Sequence, residues 1–448
     1  MSELIDLGVA LGRFDNIHPG LTCDHARHIL SLPIDELDSQ SDFYMAAAHL
    51  VNCPSLATEN ALKTLLLSSL NDQPVKIAKR KGVEVLARLG CESSIPIIGQ
   101  CLWSEDVYLV ENSAWALQEL SCKDQALVQR MIELLKDESQ NQRVLIQALS
   151  KIAIEKSFDL ISALQASDRP GVSGAAIAAV ANFTKDKSNL FQIQDHLTLP
   201  NQMDRQCAVQ DLIDVGAIEL LPAIASAPVS PAFRIRACHD ILAKLNDSPT
   251  DLASLGIIDV ILRDHPASIN VIHQYQEFPE SEFLVRQLFN TDFSRCYLAM
   301  QYLLKCSSES LFPLLQRSWE SEAHNDYGAH YFFMHLFGLR DDWSVSSLDW
   351  ILDILYQAAI NRRPQFQKSR AAAIQALQCL KPEIFFELGL QLVDGSVPSS
   401  WDCRYTTIMC MEKLSAFGVN QIRDILISCQ QDVDTLVRAR ATLALSAI

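Results

Sequence analysis

Apolar residues recur at i, i+3, i+4 and i+7 along almost the whole chain, and period-two alternation is rare. Val75-Lys-Ile-Ala-Lys-Arg-Lys-Gly-Val-Glu-Val-Leu-Ala-Arg-Leu89 is a clear instance, with its apolar positions on one helical stripe. The punctuation between such runs is helical as well. Asp, Ser or Asn commonly precedes an apolar run, and Pro54, Pro96, Pro200, Pro222, Pro231 and Pro313 stand between runs. The pattern predicts roughly twenty helices and essentially no strands.

These helices repeat. Runs of one type return at a spacing of roughly 30 to 40 residues, the mark of a helical solenoid. Lys81–Leu89, Ser113–Leu120, Gly174–Ala181, Gln206–Leu212, Arg236–Leu242, Ala371–Leu377 and Ala439–Leu445 each carry small residues near the start and continue into Leu or Ile. Small residues at the start let neighbouring helices approach, and the following Leu and Ile fill the shared core. One helix pair cannot bury its own apolar face, so stacking is compulsory. The expected fold is all-α, a right-handed α-solenoid of HEAT/armadillo-like repeats. Leu252 to Asp264 reads as helical, but the register loosens over Asn270–Glu280. We therefore expect an N-terminal stack over 1–250, an irregular junction over 251–290 and a C-terminal stack over 291–448, within one continuous superhelix.

Composition narrows the function classes. Only 15 of 448 residues are Gly, which leaves few of the left-handed turns that hairpin-rich sheets need. The formal charge of −17 argues against a phosphate backbone or an anionic membrane as partner, and no long basic block offsets it. The thirteen cysteines show no CxxC pair and sit mostly in apolar helical runs, the usage of buried hydrophobes in a reducing cytosol. Met1-Ser-Glu-Leu-Ile-Asp-Leu7 has no signal-like pattern, so a cytoplasmic chain without membrane insertion is expected. Signatures of nucleotide binding, zinc proteases and hydrolases are missing. Cys23-Asp-His25-Ala-Arg-His28 carries ligand-type residues without a second Cys at metal spacing; it reads as a solvated helix start, and no metal is expected.

Three clusters carry candidate chemistry. Tyr108, Glu111 and Trp115 share one helix face just after Trp103, joining aromatic surface to a carboxylate. Asn201, Asp204 and Arg205 open another helix: Asn201 fits an N-cap, and Asp204 beside Arg205 sets an acceptor next to a carboxylate-binding fork. In Asp326-Tyr-Gly-Ala-His-Tyr-Phe-Phe-Met-His-Leu-Phe-Gly338, the spacing brings Asp326, Tyr327, His330 and Tyr331 to one face, where a carboxylate could orient an imidazole. Packing aromatics and a core histidine are the plain alternatives at these positions. Arg205, Arg234, Arg236, Arg370 and Arg404 occupy corresponding places in the repeats and could line one concave positive groove.

Asp42–Pro54, Lys76–Leu89, Leu102–Asn112, Pro200–Leu212 and Tyr327–Phe333 resemble the E/F-type phycobiliprotein bilin lyases, most of all the single-chain phycoerythrin lyases and lyase-isomerases. The likeness runs from about residue 42 to the C-terminus. It implies a cyanobacterial transferase that holds phycoerythrobilin as substrate and needs no cofactor. Such a protein presents the bilin to a cysteine of an apo-phycoerythrin subunit, α in this reading, with isomerisation to phycourobilin. Carried onto this sequence, the resemblance assigns proton traffic to Tyr327 and His330, with Asp326 fixing the imidazole. Bilin contacts fall to Trp103, Tyr108, Glu111, Trp115, Asp204, Arg205, Arg236, Trp319 and Tyr331. A non-catalytic solenoid adaptor and a bilin chaperone remain the competing expectations.

Overall fold

The computed structural model describes residues 20–244, 252–414 and 419–447. The N-terminal stretch Met1–Leu7, in which the sequence shows no signal pattern, lies outside them. Among the described residues there are twenty-five α-helices and no strand. The chain divides into two compact units, Met1–Lys187 and Ser188–Ile448.

The first unit holds α1 (Cys23–Ile29), α2 (Asp42–His49), α3 (Leu56–Leu67), α4 (Gln73–Arg88), α5 (Ile95–Gln100), α6 (Val107–Glu119), α7 (Gln125–Leu135), α8 (Gln142–Ile152), α9 (Ile154–Ala163) and α10 (Pro170–Thr184). The even-numbered helices from α2 to α10 pack in succession as one layer, and each odd-numbered helix backs its follower in a second layer. Capping explains many of the starts. Ser55, Asp106, Asp124 and Asn141 each accept a hydrogen bond from a first-turn N–H through the side chain. The core between the layers is aliphatic, with Leu86, Leu117, Leu149 and Ala176 fully enclosed. Burying each leucine is worth about 1.5–3 kcal/mol.

The second unit holds α11 (Leu190–His196), α12 (Gln202–Val215), α13 (Leu221–Ser226), α14 (Pro231–Ala243), α15 (Leu252–Arg263), α16 (Ser281–Gln287), α17 (Phe293–Leu303), α18 (Ser308–Ser318), α19 (Tyr327–Gly338), α20 (Val345–Ile360), α21 (Gln367–Leu380), α22 (Pro382–Val393), α23 (Trp401–Met411), α24 (Val419–Cys429) and α25 (Thr435–Ala447). A ladder α17–α19–α21–α23–α25 forms its main layer. Pro313, expected between helices, lies within α18. At the α19–α21 crossing Gly338 permits close approach, since a Cβ there would stand 2.5 Å from Ala376 Cβ.

The stretch expected to be a junction is bound into the middle of this unit. Helix α15 packs against α13, α14, α21, α23 and α25. Asp264, just past its end, accepts hydrogen bonds from Arg234 of α14 (2.7 Å), Tyr297 of α17 (2.6 Å) and Tyr331 of α19. Asp259 accepts from Tyr405 of α23 (2.9 Å) and Arg440 of α25 (3.2 Å), and the Leu262 carbonyl accepts from Gln375 of α21 (2.6 Å). The loose register over 270–280 is a non-helical connection. The compact units divide at Lys187, well before residue 251.

Candidate functional site

In the first unit the aromatic cluster lies against a row of cations. Asp106 caps α6 and also receives Arg80 of α4 in a two-pronged ion pair, both contacts 2.8 Å. That pair anchors Arg80 with its guanidinium 4.7 Å from the centre of the Tyr108 ring. Two turns further along both helices, Arg88 stands 5.6 Å from the Trp115 ring. Lys81 lies 5.5 Å from the ring of Tyr44 on α2. Tyr44 and Tyr108 are exposed, Trp115 is half-buried, and Glu111 sits half-buried between Tyr108 and Trp115 on α6. The layer α2–α4–α6 thus carries a strip of rings faced by guanidinium and ammonium groups, themselves paired with Asp106 (Arg80) and Glu84 (Lys81 and Arg88), which suits a flat conjugated ligand. Trp103 belongs to a different arrangement: it is exposed and pairs with Arg130 of α7 at 5.3 Å.

The second unit gathers the residues around the start of α19, with a rearrangement of the expected roles. Asp326 is the N-cap, and its carboxylate accepts from the N–H groups of Gly328 (2.9 Å) and Ala329 (2.7 Å). It therefore does not orient His330; an Asp at this position is claimed by the helix end. The His330 ring instead lies tilted between Phe366 (4.4 Å) and Trp319 (5.1 Å). Burial, aided by the nearby positive charges of Lys368 and His324, pulls it down to about 4, so it is neutral at pH 7. Its buried Nδ1 has no hydrogen-bond partner among the described residues. Tyr327 is exposed at 61%, whereas Tyr331 is buried and spends its hydroxyl on Asp264. Tyr331 is thus a core strut and offers no ligand surface.

Lys368, in the first turn of α21, is the group that sequence spacing missed. Its Nζ lies 5.0 Å from the Tyr327 ring centre, 5.3 Å from Phe293 and 5.8 Å from Tyr331. Burial draws its ammonium down to about 8, although Cys296 and Asp326 pull the other way. A neutral imidazole, an exposed phenol and an amine that titrates near pH 8 therefore sit about the opening turn of α19. Such a group can hold and release protons.

The arginines do not form a common groove. Arg205 and Arg234 are fully buried and Arg370 nearly so. Arg205 bonds the carbonyls of Leu199 (2.7 Å) and Pro200 (2.9 Å) and pairs with Asp292 (2.5 Å). Arg234 bonds the Ala225 carbonyl, and Arg370 bonds those of Ala359 and Pro398. Arg404 pairs with Asp432 and bonds Ser399 O. These guanidiniums hold inter-helix turns together, satisfying carbonyls that the turns leave open. Arg205 is consequently unavailable as a propionate fork. Arg236 alone of the five is exposed, lying on Phe233 and bonding Gln210. Asn201 caps α12 as expected, and Asp204 is half-buried in that helix's first turn.

Burial pushes the thiols of Cys238, Cys296, Cys403 and Cys410 up to about 12, which removes them as nucleophiles at neutral pH. One pair departs from the expected reduced state: Cys23 and Cys53 are joined as a disulfide. No helix among the described residues is long and apolar enough to cross a membrane.

No family profile matches the chain. It is 47% identical to the bilin biosynthesis protein CpeY of Synechococcus sp. WH8020, over 92% of this chain and 99% of that protein. It is 33% identical to an uncharacterised phycocyanin operon protein Y of Pseudanabaena tenuis, over 94% of this chain and 97% of the other. Among solved structures, the CpcE–CpcF complex of phycocyanin lyase from Nostoc sp. PCC7120 aligns with a TM-score of 0.46 at 21% identity. That alignment covers 55% of this chain and 96% of the other.

Proposed function

Because the chain belongs to the E/F-type phycobiliprotein bilin lyase family, we propose that it attaches phycoerythrobilin by a thioether bond to a cysteine of an apo-phycoerythrin subunit. The acceptor in this reading is the α subunit, and attachment is accompanied by isomerisation to phycourobilin. The observation that carries the proposal is the 47% identity, over nearly the whole chain, to a protein of bilin biosynthesis.

The chemistry of the ligand fits the side chains present. A bilin is an open conjugated tetrapyrrole with two propionates. Rings need aromatic walls, propionates need cations, and pyrrole N–H groups need an acceptor. The strip of Tyr44, Tyr108 and Trp115 supplies the walls and Glu111 an acceptor between them, while Arg80, Lys81 and Arg88, already paired with Asp106 and Glu84, would meet a propionate only by exchanging those partners. Trp103, Asp204 and Arg236 remain proposed bilin contacts.

In the attachment step the acceptor sulfur adds to the exocyclic ethylidene of ring A. One C–S bond forms, the C=C π bond is consumed, and a proton is delivered to the ring, so no oxidant or reductant is required. Lys368, as an ammonium near its midpoint at pH 8, is suited to deliver that proton beside the exposed Tyr327. Isomerisation removes one proton from the conjugated system and returns one elsewhere. His330 is the proposed acceptor, acting as a weak base because burial holds its imidazole neutral. Trp319 packs on that imidazole and limits its motion. Asp326 contributes by fixing the helix start that carries Tyr327. The nucleophilic thiol belongs to the acceptor, and the buried Cys238, Cys296, Cys403 and Cys410 of this chain do not compete with it.

The test is co-production of the full chain with a phycoerythrobilin supply and apo-phycoerythrin α subunit, followed by absorbance of the acid-denatured acceptor. A covalently coloured acceptor is expected, with a blue-shifted band where isomerisation shortens the conjugated system. Lys368→Met and Tyr327→Phe should lower the colour. A colourless acceptor with free bilin present would overturn attachment. Pigment retained on the chain without transfer would identify a chaperone instead.

A further inference from the structure

We propose that Cys23, His49 and Cys53 form a zinc site at the N-terminal end of the described helices. Cys23 is the first residue of α1, His49 the last residue of α2, and Cys53 closes the short turn Leu50–Asn52 that follows. One ligand atom from each of the three lies within 4.8 Å of the other two. A tetrahedral zinc bound by two thiolates at about 2.3 Å and an imidazole at about 2.0 Å sets its ligand atoms roughly 3.5–3.8 Å apart. In this structure Cys23 and Cys53 are joined as a disulfide, so the three ligand atoms reach that spacing once the bond is reduced and the two sulfurs part. His49 and Cys53 are four residues apart, and Cys23 comes from another element, so two elements converge on one ion.

The thiol chemistry of the chain favours this use of the pair. All eleven other cysteines, among the described residues, carry no disulfide. They include the exposed Cys379 and the half-exposed Cys91, Cys101 and Cys306. Accessible thiols in that number belong to a chain that works where thiols stay reduced. There, Cys23 and Cys53 would face each other and His49 as two thiols and an imidazole. This is a soft nitrogen–sulfur donor set that selects zinc over magnesium or calcium. Binding releases the two thiol protons and leaves the fourth position to water.

The surroundings are those of a built site. Thr58, fully buried, donates its hydroxyl to the Cys53 carbonyl at 2.6 Å, and Arg27 donates to the Thr58 hydroxyl at 3.1 Å. The turn carrying Cys53 is thus tied both to α3 and to the helix carrying Cys23. Such support behind a ligand fixes its direction. The ion would join α1 to the α2 turn, within the first of the described helix pairs.

The experiment uses the full chain produced and purified under reductant, with bound metal measured by mass spectrometry after dialysis against metal-free buffer. About one zinc per chain is expected. Cobalt substitution should give the intense visible bands of a tetrahedral thiolate complex. Cys23→Ser and Cys53→Ser should weaken zinc binding by at least about tenfold, and His49→Ala likewise. The wild-type chain suffices to overturn the proposal. Folded by circular dichroism, it would do so by holding under about a tenth of a zinc. Recovery of a Cys23–Cys53 crosslinked peptide from the reduced preparation would do the same. So would unchanged zinc content in both cysteine variants.

Discussion

Asp264→Asn should cost the second unit about 4 kcal/mol. Asp264 and Arg234 are both enclosed, and the carboxylate takes bonds from Arg234 (2.7 Å), Tyr297 (2.6 Å) and Tyr331. Its main-chain oxygen lies 2.6 Å from His335 Nε2. Asparagine keeps the shape and tolerates the positive φ of 45° at this position, so the substitution removes the charge with little backbone strain. What remains is a buried guanidinium without a counter-charge, at about 3–5 kcal/mol. Two buried tyrosine hydroxyls also lose an ionised acceptor, at about 1 kcal/mol each, and the amide oxygen recovers part of that. The chain has two units, so a single unfolding free energy is not well defined. Hydrogen exchange by mass spectrometry on peptides from α14, α15, α17 and α19 reads the loss locally, with urea unfolding beside it. Arg234→Met combined with Asp264→Asn should lose less than Asp264→Asn alone, since no orphan charge is left. A loss under about 1 kcal/mol for the single variant, or a worse loss in the double, would refute the reasoning.

His239 should make stability fall above neutral pH. Its bonds to Asp240 and Asp434 raise it to about 9, so the contribution is complete below about 6.5 and is lost as pH rises through about 9. Melting temperatures should show about 1 kcal/mol of stability lost across that window, after solvent screening, and His239→Gln should flatten the curve. Gly338→Ala should destabilise by about 2 kcal/mol, because the new Cβ meets both Ala376 Cβ and its main chain. Ala376→Gly should rescue it only in part, as urea unfolding of the double variant would show. If Lys368 delivers a proton, attachment should slow as pH rises past about 8. Lys368→Arg, always charged, should abolish that dependence in an initial-rate assay, and a wild-type profile without an inflection there would remove Lys368 from the step.

The hydrophobic period of the sequence determined the all-α architecture. The recurring small-to-large runs fell on α4, α6, α10, α12, α14, α21 and α25, so repeat type was legible from residue size alone. Caps such as Asn201 were legible too, because capping is local chemistry. The aromatic face of α6 could be drawn from spacing, but not the guanidiniums of α4 that cover it. Helical spacing states which residues share a face and is silent on what another helix brings to it. Asp326 shows the same limit within one helix: the spacing put it beside His330, while the helix end claimed its carboxylate. The arginines at the repeat starts were visible, yet whether each pointed outward or into a turn depended on carbonyls left open elsewhere in the chain. Lys368 near Tyr327, Cys53 beside Cys23 and α15 among five other helices each join residues tens of positions apart. Such meetings are decided by packing, because buried charges and thiols take their properties from neighbours that only the folded chain supplies.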